Sequence, residues 1–203
     1  MNIKTVVFDL FETLVTVQNV IGPYRRVFEL AQKLGHEFAE IRRVLLTTDL
    51  PRPADIATAL GLESFENERF LLDIEAELQS VRLFSEAPDV LKWLKAEGYR
   101  IGLISNLASP YKKAFYNVGL DGFIDKPVFS CDVGSIKPEP QIYEVARTRL
   151  DAQFNEMLMV GDNLIPDVEG PRAFGMHALQ VQRAQPTAGS IRSLDELCHI
   201  LHP

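Results

Sequence analysis

Short apolar runs alternate with amphipathic stretches along most of this chain. Thr5 to Phe8 (TVVF) is a β-branched run that ends at a carboxylate, and comparable runs recur at Arg100 to Ile104, Val128 to Ser130, Met157 to Val160 and Ala178 to Val181. Such runs read as strands buried on both faces of a sheet. Between them lie stretches of helical period with defined punctuation. Pro88 opens one whose Val90, Leu91 and Leu94 share a face, and Gly98 closes it. Ser109 and Pro110 open the next, in which Tyr111, Phe115 and Val118 are spaced i, i+4, i+7 before Gly119 ends it. The pattern repeats after Pro138 and after Pro166. Strand-helix alternation predicts an α/β fold with a doubly wound parallel sheet. Its ligand site is expected at the carboxyl ends of the strands, near the switch in strand order.

The stretch from Thr16 to Phe84 differs. It offers helix-period runs broken by Gly35, Pro51, Pro53 and Gly61, and no convincing strand. It reads as a helical insert leaving the core after the first strand and returning before Pro88, placed over the carboxyl end of the sheet as a lid. The expected division is a core of residues 1–15 and 85–203 and a helical cap of residues 16–84. Near the carboxyl end, Ser193 and Glu196 have capping-box spacing for one late helix.

Composition narrows the function classes. With 203 residues and 46% hydrophobic positions the chain can bury a core, and a formal net charge of -7 disfavours a binder of nucleic-acid backbones. The amino-terminal run is interrupted early by Asp9 and Glu12, and no apolar run reaches the roughly 18 residues of a membrane span. A cytoplasmic address, without membrane contact, is expected. Cys131 and Cys198 lie far apart without CxxC spacing and suggest neither a disulfide nor a zinc site. His36, His177, His199 and His202 are scattered and read as surface or capping residues, and Trp93, Phe65, Phe70 and Leu71 read as packing residues. The expected assembly is a monomer or homodimer.

Four segments carry candidate chemistry. In FDLFETLV, Asp9 leaves a buried strand, where desolvation disfavours the ion unless it is paired, hydrogen-bonded or metal-bound. In LISN, Ser105 and Asn106 end the next strand and offer a hydroxyl and backbone amides to anionic oxygens, although the same pair also serves as ordinary turn chemistry. In GSIKPEP, Lys137 precedes a proline-started helix that would aim its ammonium at the strand ends, or it is an exposed loop lysine. In VGDNLIPD, Asp162 and Asp167 follow a strand, and such close acids are relieved by a lysine or an oxygen-loving divalent cation.

In order and separation, FDLFETL, LISN, GSIKPEP and GDNLIPDVEGPRAFGM resemble the four motifs of the haloacid dehalogenase (HAD) superfamily, from Asp9 to Gly175. The insert after the first motif looks like that superfamily's helical cap of the first-insertion class, on a Rossmann-like core. The resemblance implies a hydrolase in which Asp9 attacks phosphorus to form an aspartyl-phosphate that water hydrolyses. It further implies that Ser105 holds a phosphoryl oxygen and Lys137 balances charge, while Asp9, Asp162 and the Phe11 carbonyl hold Mg2+. Asp167 would support Lys137 or a metal-bound water, and the amides around Leu10 and Asn106 would complete the substrate cradle.

One position departs from the pattern. Phosphatases of this superfamily usually carry a second aspartate two residues after the nucleophile, as general acid, and here it is Phe11. Glu12 is adjacent, but by strand alternation it is expected on the other side, as a turn or lid-facing acid. An aromatic there resembles the 2-haloacid dehalogenase branch, which works without metal and needs a cationic clamp for a carboxylate; Arg25, Arg26, Arg42 and Arg43 of the insert are candidates. The expected activity is therefore Mg2+-dependent phosphatase on a small phosphorylated metabolite, with dehalogenase as the alternative. A catalytically weak member that binds a phosphometabolite or a protein is the remaining alternative.

Overall fold

The computed structural model describes residues 2–62, 65–124 and 126–201, so His202 lies outside the described residues. Its first strand, β1 (Thr5–Phe8), is buried at every position. Val6 and Phe8 enter one hydrophobic layer and Val7 the other, as alternation across a pleat requires. Each such side chain contributes about 1.5–3 kcal/mol by leaving water, which is why a four-residue strand can anchor the sheet.

The chain then forms a three-residue strand, β2 (Val15–Val17), and four helices: α1 (Tyr24–Lys33), α2 (Phe38–Thr47), α3 (Pro53–Leu60) and α4 (Asn67–Gln79). Strand β3 (Val81–Leu83) returns antiparallel to β2, pairing Val15 with Leu83 and Val17 with Val81. This corrects the expectation of no strand in the insert. Runs of three residues are too short for a two-residue period to stand out, and only the pairing of residues far apart in sequence makes them strands.

The core continues with α5 (Ala87–Ala96), β4 (Arg100–Ser105), α6 (Lys112–Asn117), β5 (Val128–Phe129), α7 (Ser130–Val133), α8 (Pro140–Arg149) and β6 (Met157–Gly161). A π-helical segment at Leu164–Glu169, α9 (Gly170–Ala173), β7 (His177–Val181), β8 (Ser190–Ile191) and α10 (Glu196–Leu201) complete it. Helix α5 has Pro88 in its first turn, buries Val90, Leu91 and Leu94, and is followed by Gly98 at φ +82. Half of the capping box near the end forms: the Ser193 N–H donates to Glu196 Oε1 at 3.2 Å, while the Ser193 hydroxyl accepts the Asp195 N–H instead of that of Glu196. Two boundaries and one element differ from expectation. Ser130 starts a helix instead of ending a strand, the helix expected after Pro166 begins earlier at Leu164, and β8 was not anticipated.

Six strands form one parallel sheet in the order β5-β4-β1-β6-β7-β8. The chain winds outward from β1 through β4 to β5, then returns to β6 on the other side of β1. The order therefore switches between β1 and β6, and a crevice opens at their carboxyl ends. Two of the four signal segments, after β1 and after β6, flank it.

The helical segment is tied down over this end. Arg43 of α2 pairs with Glu139 at 2.5 Å, and Lys112 bridges Asp49 at 2.9 Å and Asp132 at 2.7 Å. The Leu50 N–H donates to the Ser109 hydroxyl at 2.8 Å. No helix among the described residues is long and apolar enough to cross a membrane. Both cysteines are free, Cys131 buried and Cys198 half-buried.

Candidate active site

Asp9 follows β1 directly, and its N–H donates to the Val160 carbonyl of β6 at 2.9 Å, fixing the turn at the switch point. Asp9 is 7% exposed, and its carboxylate accepts from the Lys137 ammonium at 2.7 Å. The same ammonium donates to Asp167 Oδ1 at 2.6 Å, and both Lys137 and Asp167 are buried. Lys137 is thus a buried, doubly paired cation and not an exposed loop lysine. Three charges in low dielectric hold together only because each is hydrogen-bonded.

Glycine at 161 makes this approach possible. A Cβ there would lie 2.4 Å from the Asp167 carboxyl, so any side chain would displace the lysine's second partner. The other Asp167 oxygen accepts the Asn163 N–H at 3.0 Å. Asp162 follows β6, held through its carbonyl by Gln180 Nε2 at 2.8 Å. Asp9, Asp162 and Asp167 each offer an oxygen, all within 4.8 Å of one another.

The electrostatics are unbalanced. Burial pushes the Asp9 carboxyl above its ordinary range, with Lys137 opposing and Asp167 reinforcing. Burial, then Asp9 and Asp167, push the Asp162 carboxyl up to about 6. Burial alone would lower Lys137, but the facing carboxylates of Asp9 and Asp167 outweigh it and raise it. Three carboxylates facing one ammonium leave room, in charge, for a cation.

Ser105 ends β4, buried, and lines the same cleft of about 260 Å³ with Asp9, Asn106, Lys137, Asp162 and Asp167. The structure thus gathers the polar residues of all four signal segments in one place. The Asn106 side chain is committed to the Lys137 main chain, which leaves the main chain of Asn106 for an anionic oxygen. Leu10 is buried, and its N–H beside the Asp9 carboxylate favours the ionised form. Phe11 sits in the turn that returns to Val15, and its carbonyl accepts no backbone hydrogen bond among the described residues.

The expected orientation of Glu12 is overturned. It lines the cleft with Asp9, because β1 ends at Phe8 and Glu12 adopts φ +56, so strand alternation does not reach it. Its Oε1 accepts the Thr16 hydroxyl at 3.1 Å. Of the four arginines weighed as clamps, Arg42 lines the cleft, whereas Arg43 pairs with Glu139 and Arg26 with Glu29. Leu71, expected to pack, is 42% exposed.

A model of the haloacid dehalogenase-like hydrolases matches residues 3–175. The chain belongs to that family. This hydrolase is 29% identical over 159 residues to a glyceraldehyde 3-phosphate phosphatase of Methanothermobacter thermautotrophicus, a match covering 78% of this chain and 67% of the relative. It is 26% identical to (S)-2-haloacid dehalogenase 2 of a Pseudomonas species, covering 98% of this chain and 96% of that one. The crystal structure of a HAD phosphatase from Thermococcus onnurineus superposes with a TM-score of 0.71 at 26% identity, covering 98% of each chain.

Sequence reasoning missed Glu77, Gly161 as a space-making residue, and the pairing of Arg183 behind the site. Glu77 left a signal. Phe70, Ile74 and Glu77 are spaced i, i+4, i+7 on the buried face of α4, and an acid on such a face is costly without a role.

Proposed function

We propose that this hydrolase is a cytoplasmic phosphatase that removes the phosphoryl group from a small phosphate monoester, with Asp9 as covalent nucleophile and Mg2+ as cofactor. The observation that carries the reading is the excess of carboxylate in the cleft: Asp9, Asp162 and Asp167 against Lys137. Hard oxygen donors in that arrangement suit a small divalent cation. Asp9, Asp162 and the Phe11 carbonyl would hold it, with Asp167, whose oxygens are engaged by Lys137 and Asn163, acting through a bound water or through the lysine. Once bound, such an ion neutralises charge on the phosphoryl oxygens and on the attacking carboxylate.

The chain's own groups supply the rest. An Asp9 carboxylate oxygen forms a bond to phosphorus while the bond from phosphorus to the alcohol oxygen breaks, and the electron pair leaves with that oxygen. Lys137 holds the nucleophile's other oxygen in place, and the Ser105 hydroxyl and the amides near Leu10 and Asn106 orient the transferring group. Water then attacks the aspartyl-phosphate, releasing phosphate and regenerating Asp9. Phe11 offers no proton, so the leaving alcohol takes one from water.

A second reading, 2-haloacid hydrolysis, is favoured by Phe11 beside the nucleophile and by Arg42 at the cleft, where it could clamp a carboxylate. One assay separates them: p-nitrophenyl phosphate and 2-chloropropionate, each with Mg2+ and with chelator, for the parent chain, Asp9→Asn and Asp162→Asn. Mg2+-dependent phosphate release lost in both variants supports the phosphatase. Chloride release that ignores chelator and survives Asp162→Asn overturns it in favour of the dehalogenase. Silence with both substrates favours a binding protein.

A further inference from the structure

Beside the cleft that holds Asp9 lies a second cavity of about 430 Å³ between the helical segment and the core, within the range of small-molecule sites. Phe11, Arg42 and Asn106 line both spaces, which places the second cavity next to a phosphoryl group at Asp9. Its wall is apolar, built from Val17, Phe28, Phe38, Leu45 and Leu107 among others. A short polyol would leave this wall wet and gain little from it.

Within that apolar wall stand Tyr24, Glu77 and Tyr111. The Tyr111 hydroxyl donates to Glu77 Oε2 at 2.5 Å, the one side-chain hydrogen bond that Glu77 accepts among the described residues. Glu77 is 5% exposed, and no cation among the described residues pairs with it. The Tyr24 hydroxyl is buried without a partner, its ring wedged edge-on against Phe70 at 5.1 Å and 5.9 Å from Tyr111. Buried polar groups left unpaired are costly and persist where something else satisfies them. Packing alone would have been served by a leucine at 77 and a phenylalanine at 24.

We infer that this cavity takes the alcohol part of the phosphate ester, and that this part is an apolar body ending in a hydrogen-bond donor, an ammonium or hydroxyl, received by Glu77 and Tyr24. The inference rests on the phosphatase reading and names its substrate class. Glu77 and Tyr24 act in binding and do not touch the reacting atoms. A partner that satisfies both groups would be preferred over an isostere lacking the donor, because that isostere leaves the Tyr24 hydroxyl unpaired and the Glu77 carboxylate facing an apolar group.

The test uses four aryl phosphates whose leaving phenols are alike: phenyl phosphate, 4-ethylphenyl phosphate, tyramine O-phosphate and 4-(2-hydroxyethyl)phenyl phosphate, with Mg2+. The expected result is a kcat/KM for at least one donor-ended ester about tenfold above that of the ethyl ester, carried mainly by KM. The amine and hydroxyl arms tell which donor is preferred. In Glu77→Gln and Tyr24→Phe the ratio of donor-ended to ethyl ester is expected to fall toward one. Tyr24→Phe removes only an unpaired hydroxyl, so it decides the matter if Glu77→Gln does not fold. Equal rates for the four esters, or a ratio that survives Tyr24→Phe, overturn the inference and leave the phosphatase intact. No phosphate released from any ester overturns the phosphatase reading, and the inference with it.

Discussion

The side chain of Asn106 closes two hydrogen bonds on the backbone of Lys137, donating from Nδ2 to its carbonyl at 2.9 Å and accepting its N–H on Oδ1 at 2.7 Å. The loop after β4 thereby sets the position of the lysine that meets Asp9. Asn106→Ala is expected to lower stability by about 1–3 kcal/mol, the range for leaving buried polar groups unpaired. It is also expected to lower kcat by more than KM changes, because Lys137 acts on the reacting charge. Urea melts and steady-state kinetics on p-nitrophenyl phosphate check both, and a variant with parent kcat would show that the clamp does not position Lys137.

The absence of an acid at Phe11 should show in the leaving group. With no proton to offer, turnover should depend steeply on the acidity of the departing alcohol, and p-nitrophenyl phosphate should far outrun an alkyl phosphate. Phe11→Asp is expected to raise the alkyl-ester rate by about two powers of ten or more while changing the nitrophenyl rate little. The same substitution removes the edge contact of Phe11 with Tyr111 at 5.9 Å, so a modest loss of stability accompanies it. Unchanged selectivity between the two esters would indicate that another group, Glu12 foremost, already supplies the proton.

Gly161→Ala tests whether the lysine needs both carboxylates. The new Cβ would fall 2.4 Å from the Asp167 carboxyl, which must move and release its 2.6 Å contact with Lys137. The expected outcome is a loss of about 1–3 kcal/mol by overpacking and a collapse of kcat. Parent activity in a folded Gly161→Ala protein would remove Asp167 from the machinery.

Arg183 braces the nucleophile loop from behind. Its guanidinium donates to Glu86 at 2.6 Å and to the Thr13 carbonyl at 2.9 Å, and it stacks 3.4 Å over the Phe84 ring. Burial would raise the Glu86 carboxyl, but the hydrogen bonds it accepts from backbone N–H groups and from Arg183 outweigh that and hold it below its ordinary 4.5. A carboxyl held low stabilises the fold above its unfolded value and loses that contribution as pH falls through the lower folded value. Arg183→Met should therefore cost about 2 kcal/mol near neutral pH, and the deficit should shrink below pH 4.5. Thermal melts of both proteins from neutral to acid pH decide this, and a deficit constant with pH would assign the effect to Thr13 and Phe84 alone.

Much of this molecule is legible in its sequence. Buried strands such as β1 and β6 show as apolar runs because a parallel sheet hides both faces, and Asp9 and Asp162 stand out because a carboxylate at such an exit is costly. The π-helical start at Leu164 and the strand ends near Ser130 were not legible, since element boundaries depend on local turns that periodicity does not resolve. Glu12 was misjudged for the same reason: a left-handed turn cancelled the alternation that residues 5–8 obey.

By itself the sequence determined the α/β alternation, the helical character of the stretch between the first strands and the four segments whose acids, hydroxyl and lysine converge, because hydrophobic period and turn chemistry are local properties. Only the tertiary structure decided that β2 pairs with β3, that Asn106 grips Lys137, that Gly161 must lack a side chain, and that Glu77 and Tyr24 share a cavity beside Asp9. Those facts join residues 31 and more apart along the chain, or depend on a gap of a few ångströms. No local pattern encodes such distances; they arise when packing brings the elements together.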